Sequence, residues 1–127
     1  MSDDPEAKLG SVGWCDLTVP DAEKLRDFYA SVVGWTSQDV DMGVYSDFSM
    51  VPPGADEAVA GICHARGTNA NLPPQWLIYI VVEDLERSTN RCTELGGEVI
   101  DGPRSLGRGR FCVVQDPAGA VCALYQP

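Results

Sequence analysis

The side chains in this chain that could do chemistry are few and scattered. His64 is its one histidine and follows Cys63, which invites a reading as a thiol beside its base. Both end an apolar run, residues 58–64, that reads as a strand. Neighbours on a strand point to opposite faces, so thiol and imidazole cannot meet and the dyad fails on geometry. His64 alone shares parity with Ala60 and Ile62; it either faces a cleft near its rim or stands solvated at a strand end. Asp16 lies within another apolar run and could act as a base, as an anchor for a donor group, or as a hydrogen-bonded structural carboxylate. The five cysteines, Cys15, Cys63, Cys92, Cys112 and Cys122, contain no C-x-x-C pair, and most sit in apolar runs, which makes them structural thiols. Gly107-Arg108-Gly109-Arg110 lacks the strand-to-helix context of a phosphate loop. It opens the strand that carries Phe111, with Arg110 pairing a carboxylate.

Binding chemistry is better represented. Trp14, Tyr45, Phe48, Met50, Trp76 and Tyr79 fall in strand-like segments. In a small domain aromatics are usually core, but these lie largely on strand faces that no helix is expected to cover, where flat rings with polar tips suit stacking on a planar or polycyclic ligand. With Asp16 and Arg110 they form the candidate ligand-binding set. No residue is assigned a catalytic or metal-binding role.

The elements that must position these residues follow from periodicity. In residues 14–34, Cys15, Leu17 and Val19 alternate with Trp14, Asp16 and Thr18, the period of a strand. Asp21 is placed to cap a helix on which Leu25, Phe28, Tyr29, Val32 and Val33 recur, and Gly34 stops it. Strands are predicted over residues 35–41, 44–51 and 58–64, and residues 66–74 form a polar linker. The plan then repeats 63 positions later: Val19 matches Val82, Asp21 Asp84, Glu23 Glu86, Gly34 Gly97, Phe48 Phe111 and Val51 Val114. The matched positions are those with structural jobs, which argues for duplication. The second half gives a strand over 77–82, a helix over 84–95 with Leu85, Ser88, Cys92 and Leu95 inward, and strands over 98–100, 111–115 and 121–125. Asp116-Pro117-Ala118-Gly119 makes the last hairpin turn. Each half is βαβββ. Its helix covers the face carrying Cys15, Leu17 and Val19, or Ile78, Ile80 and Val82. The opposite faces, with Trp14, Asp16 and Thr18 and with Leu77, Tyr79 and Val81, line something else.

Composition narrows the function classes. At 44% apolar and 22% charged residues the chain has the balance of an ordinary soluble globular domain. Its net charge of -10 argues against nucleic acid, since phosphate contact needs a basic patch. No segment approaches a membrane span, and the acidic start MSDDPEAK is unlike a signal peptide, so a cytoplasmic address is expected. Residues 1–9 read as a disordered lead-in and residues 10–127 as one domain, with modules at about 10–65 and 74–127.

The paired βαβββ plan, the strand-Pro-Asp-helix-Gly-Trp run ending at Trp35, the W-x-x-Y of Trp76 and Tyr79, and the tail GRFCVVQDPAGAVCALYQP resemble the vicinal oxygen chelate superfamily of glyoxalases, bleomycin-resistance proteins and extradiol dioxygenases. The resemblance implies an α+β fold in which two tandem βαβββ modules form an eight-stranded incomplete barrel with a concave cleft, often in a homodimer. It also implies four metal-ligand places, which fall here on Trp14, Ala60, Leu77 and Ala123. An indole, two methyls and an isobutyl offer no lone pair to a divalent ion, which needs donors at about 2.3 Å or less. The expectation is therefore a metal-free, cofactor-free binder of a hydrophobic or aromatic compound, plausibly an antibiotic, with no nucleic-acid or membrane partner. An enzyme on the same scaffold is the rival: a metal-dependent lyase or dioxygenase, or a metal-free isomerase or cyclase using Asp16 or His64.

Overall fold

A computed structural model describes residues 8–127, so most of the expected lead-in lies outside the described residues. The fold is α+β, with eight strands and two helices among the described residues and the order βαβββ given twice. The described residues divide into two compact units, one of Cys15–Trp76 and one that joins residues 8–14 to Leu77–Pro127.

The first unit takes β1 (Val12–Val19) from Cys15 onward, which leads into α1 (Ala22–Val33), followed by β2 (Thr36–Asp41), β3 (Ser46–Val51) and β4 (Ala60–His64). The helix begins where the Asp21 carboxylate accepts the Lys24 backbone N–H at 3.1 Å. It ends at Gly34, whose φ of 78° is a left-handed conformation that a side chain would strain. β4 pairs in parallel with β1, β3 antiparallel with β4, and β2 antiparallel with β3. The core under α1 comprises Leu17, Val19, Ala22, Phe48, Met50 and Ile62, flanked by Leu25, Tyr29, Trp35 and Trp76. The predicted apolar stripe of α1 is wider than this sheet can cover: Phe28 and Val32 remain 52% and 60% exposed.

In the second unit, β5 (Trp76–Val81) precedes α2 (Leu85–Glu94), β6 (Glu98–Leu106), β7 (Gly109–Gln115) and β8 (Val121–Gln126). β5 and β8 are parallel, while β8–β7 and β7–β6 are antiparallel. Gly10 and Ser11 extend the unit by exchanging backbone hydrogen bonds with Val81. Asp84 caps α2 by accepting the Arg87 N–H at 3.2 Å. Beneath α2 lie Leu85, Cys112 and Val114 with Val82, Cys92, Val99, Cys122 and Leu124. Leu95, expected on the inner face, is 64% exposed because it forms the C-cap, where the helical periodicity has already ended. The Asp116 carboxylate closes the β7–β8 turn by accepting from the N–H groups of Ala118 and Ala120.

β6 is longer than the 98–100 strand predicted. Gly102-Pro103 reads as a break, but the strand carries it through irregularities in register between Val99 and Arg104 and resumes pairing at Arg104 opposite Phe111. No described helix is long and apolar enough to cross a membrane.

Candidate functional site

In the first unit, register decides which side chains α1 covers. Leu17 lies beside Ile62, and Ile62 beside Phe48, so all three share one face; Met50 lies beside Ala60 with the same parity. That is the face on which α1 packs. Phe48 and Met50, expected on an uncovered face, are 3% and 0% exposed beneath the helix, and the Arg26 guanidinium of α1 stacks 4.7 Å over the Phe48 ring. Trp76 also belongs to the helix side. Its indole N–H donates to the Tyr29 hydroxyl at 3.1 Å, and its ring meets Tyr29 and Trp35 edge to face. These three are core residues because α1 needs an apolar floor, and β3 and the start of β5 supply it.

The uncovered side of the same strands is polar. The alternation of β1 puts Trp14, Asp16 and Thr18 there, the first two half-buried and Thr18 buried. Asp16 lies beside Gly61 and Thr18 beside Cys63, so the β4 residues on this side are Gly61 and Cys63, not Ala60. Asp47, buried between Ser46 and Phe48, has the same parity. Its carboxylate accepts the His64 backbone N–H at 2.8 Å, stands 3.2 Å from His64 Nδ1, and is hydrogen-bonded to the Cys63 thiol. Burial, then the charges of Asp16 and Asp47, push Cys63 far above the usual thiol range, so it is a donor and not a nucleophile. Burial likewise raises Cys15, Cys112 and Cys122.

His64 has the parity of Ile62, which is the α1 side and not the uncovered one. It is not a freely solvated strand-end histidine: its side chain is 12% exposed, and its ring is held between Tyr45, edge to face at 5.2 Å, and Phe48 at 6.1 Å. Arg66 stacks over the Tyr45 ring at 4.1 Å. Cys63 and His64 do not bond each other, yet both bond Asp47, a residue whose sequence context of Ser46 and Phe48 marks it only as a strand position.

In the second unit, Tyr79 lies beside Ala123, Ala123 beside Val113, and Tyr125 beside Phe111, all on the face that α2 leaves uncovered. Tyr79 and Phe111 are in ring contact at 5.7 Å. The Arg104 guanidinium lies 4.8 Å over Phe111 and is anchored to Asp101 at 2.6 Å. Arg110 is not on this face. It has the parity of Cys112, on the α2 side, and is exposed. Arg104 is the arginine that the aromatic face carries, and the apparent break before it concealed its strand position.

The four places where the resemblance puts metal ligands therefore hold Trp14, Gly61, Leu77 and Ala123. The register exchanges Ala60 for Gly61 and adds no donor. Among the described residues no three His, Cys, Asp or Glu side chains converge as a metal site. The residues present do not fit a divalent ion.

The Glyoxalase/Bleomycin resistance protein/Dioxygenase superfamily model matches residues 11–124. The anthracycline biosynthesis protein DnrV of Streptomyces peucetius is 34% identical over 129 residues, covering 92% of this chain and 47% of DnrV. The chain thus spans about half the length of the curated relatives it matches. Methylmalonyl-CoA epimerase from Mycobacterium tuberculosis, 17% identical, aligns over 95% of this chain and 91% of its own with a TM-score of 0.54, a likeness of fold. TnmS3, an antibiotic binding protein from Streptomyces sp. CB03234, is 30% identical over 96% of this chain and 99% of its own, with a TM-score of 0.38. On the extent of the family match, the chain belongs to the Glyoxalase/Bleomycin resistance protein/Dioxygenase superfamily.

Proposed function

We propose that the chain is a metal-free small-molecule-binding member of this superfamily, a cytoplasmic homodimer that sequesters a planar aromatic compound of the antibiotic class. One observation carries the reading: at the four metal-ligand places stand Trp14, Gly61, Leu77 and Ala123, none of which has a donor to give a metal; of the four only Trp14 is half-exposed, and it is the apolar ring a ligand would meet. Two features support it. Tyr79 and Phe111, with Arg104 over the latter, pack ring against ring on the side of the sheet away from α2, only 4% and 6% exposed, so a flat ligand would reach them from beside Arg104. The relative DnrV is named for anthracycline biosynthesis. Sequestration needs affinity and protein in excess, not turnover.

The test is titration with an anthracycline and with unrelated flat polycyclic compounds, followed by tryptophan fluorescence and melting temperature. Saturating ligand is expected to raise the melting temperature by several degrees. Trp14→Ala is expected to weaken binding by about 1–3 kcal/mol, and mass spectrometry should return the ligand unchanged. A modified compound would instead support the enzyme reading. The absence of any thermal shift, with Trp14→Ala acting through stability alone, would end the binding reading.

A further inference from the structure

The Asp47–His64 pair does more than a structural hydrogen bond requires. Three contacts fix the imidazole: the Asp47 carboxylate 3.2 Å from Nδ1, the Tyr45 ring edge to face, and the tilted Phe48 ring. The side chains of His64 and Asp47 are only 12% and 7% exposed. The backbone N–H of His64 already satisfies Asp47, as does the hydrogen bond with Cys63, so the ring contact is not needed to pay for burying the carboxylate. An ionised carboxylate can only accept, which selects the neutral tautomer with its proton on Nδ1 and leaves the lone pair on Nε2. Nε2 has no hydrogen-bond partner among the described residues. A carboxylate behind Nδ1 and an Nε2 without a partner is the arrangement of an oriented base, because the carboxylate fixes which ring nitrogen carries the proton and which keeps its lone pair. The other titratable or charged groups around the ring cluster are Tyr45 itself, Arg66 over Tyr45, Cys63 on Asp47, and Arg26 of α1 over Phe48.

We propose that His64 Nε2 is a proton-accepting site for an acidic hydroxyl, the phenol or enol of a flat small molecule. The O–H proton passes to Nε2, and the O–H electron pair stays on oxygen as the phenolate or enolate. The imidazolium is then paired with Asp47, and Arg66 places a second cation on the Tyr45 ring, at the same cluster, for the oxyanion. The half-buried Tyr45 ring supplies a flat wall, while Phe48, buried beneath α1, holds the imidazole from behind. This site stands on the first unit alone and does not depend on the aromatic face of the second.

The chain's single histidine makes the test unambiguous. The probe is 4-nitrophenol, whose phenol and phenolate absorb differently, with 4-nitroanisole as the isosteric control that has no proton to give. Bound 4-nitrophenol is expected to show the phenolate spectrum at a pH where the free compound is protonated. His64→Gln is expected to weaken its binding about tenfold or more while leaving 4-nitroanisole unaffected, since only the proton acceptor is lost. In the wild-type protein, long-range 15N spectra are expected to place the neutral ring's proton on Nδ1. Diethyl pyrocarbonate is expected to acylate His64 more slowly when 4-nitrophenol is present. The last two measurements need no variant and survive a misfolded one. A proton found on Nε2, a histidine inert to the reagent in the native protein, or equal binding of 4-nitrophenol to His64→Gln would overturn the proposal.

Discussion

At the residue scale, Asp47 organises the chemistry of the first unit, and Cys63 gives it a pH signature. The folded thiol titrates above its ordinary value of 9.0 because burial and the charges of Asp16 and Asp47 oppose the thiolate. The unfolded chain therefore releases this proton first as pH rises. Cys63 contributes its full share of stability below about pH 9, and that share is lost as pH climbs from the unfolded toward the folded value. Denaturant unfolding between pH 7 and pH 10 is expected to show falling stability. Cys63→Ser, which keeps a donor but does not titrate, should flatten that fall by up to about 1.4 kcal/mol per pH unit. Equal alkaline slopes would mean that the thiol does not stay protonated. None of this was legible from sequence, because Asp47 has no local mark that distinguishes it from a solvated strand carboxylate. Its partners come from β4, 17 residues on. Phe48 and Met50 show the same gap. Their alternation identified a shared face, but alternation does not say which of two faces a helix will cover; the pairing of Phe48 with Ile62 does.

At the scale of elements the local signals were strong. Both helices start at the aspartates that the sequence singled out, since an Asp before an apolar-periodic run has a specific job, accepting an otherwise unpaired N–H. Asp21→Ala and Asp84→Ala are each expected to cost about 1 kcal/mol in equilibrium unfolding, while Asp21→Asn and Asp84→Asn keep most of the cap. If alanine and asparagine cost the same at either position, the loss is one of charge near the helix end and not of the cap. Boundaries were less legible where an element contains its own irregularity. β6 passes through Gly102-Pro103, residues that ordinarily end strands, and the register shift that absorbs them depends on β7 as a partner. The apolar stripe of α1 is wider than its buried face for a related reason. Helical spacing marks Phe28 and Val32 as apolar, but the width of the sheet beneath decides how many of them it can bury.

At the scale of the whole molecule, the 63-residue repeat was the most reliable reading, because it links positions whose roles are fixed by backbone geometry, and both units carry the resulting βαβββ order. What the repeat leaves open is association. Phe28, Val32 and Val33 on α1 and Val40, Met42 and Val44 around the β2–β3 hairpin expose apolar surface that a second copy could bury. Each copy also carries a net charge of -10, so two copies repel. The repulsion is long-ranged at low salt, with a Debye length of about 30 Å at 0.01 M, and is cut to about 8 Å at 0.15 M, whereas apolar burial is little affected by simple salt at those concentrations. Dimerisation is therefore expected to strengthen with ionic strength. Sedimentation at tens of micromolar should show a larger monomer fraction at 0.01 M than at 0.15 M sodium chloride, and Val32→Asp should shift the equilibrium to monomer at both. An interface held by ion pairs would give the opposite salt dependence, and a stable monomer under all of these conditions would remove the dimer from the proposed function while leaving the binding site of a single chain to be tested by itself.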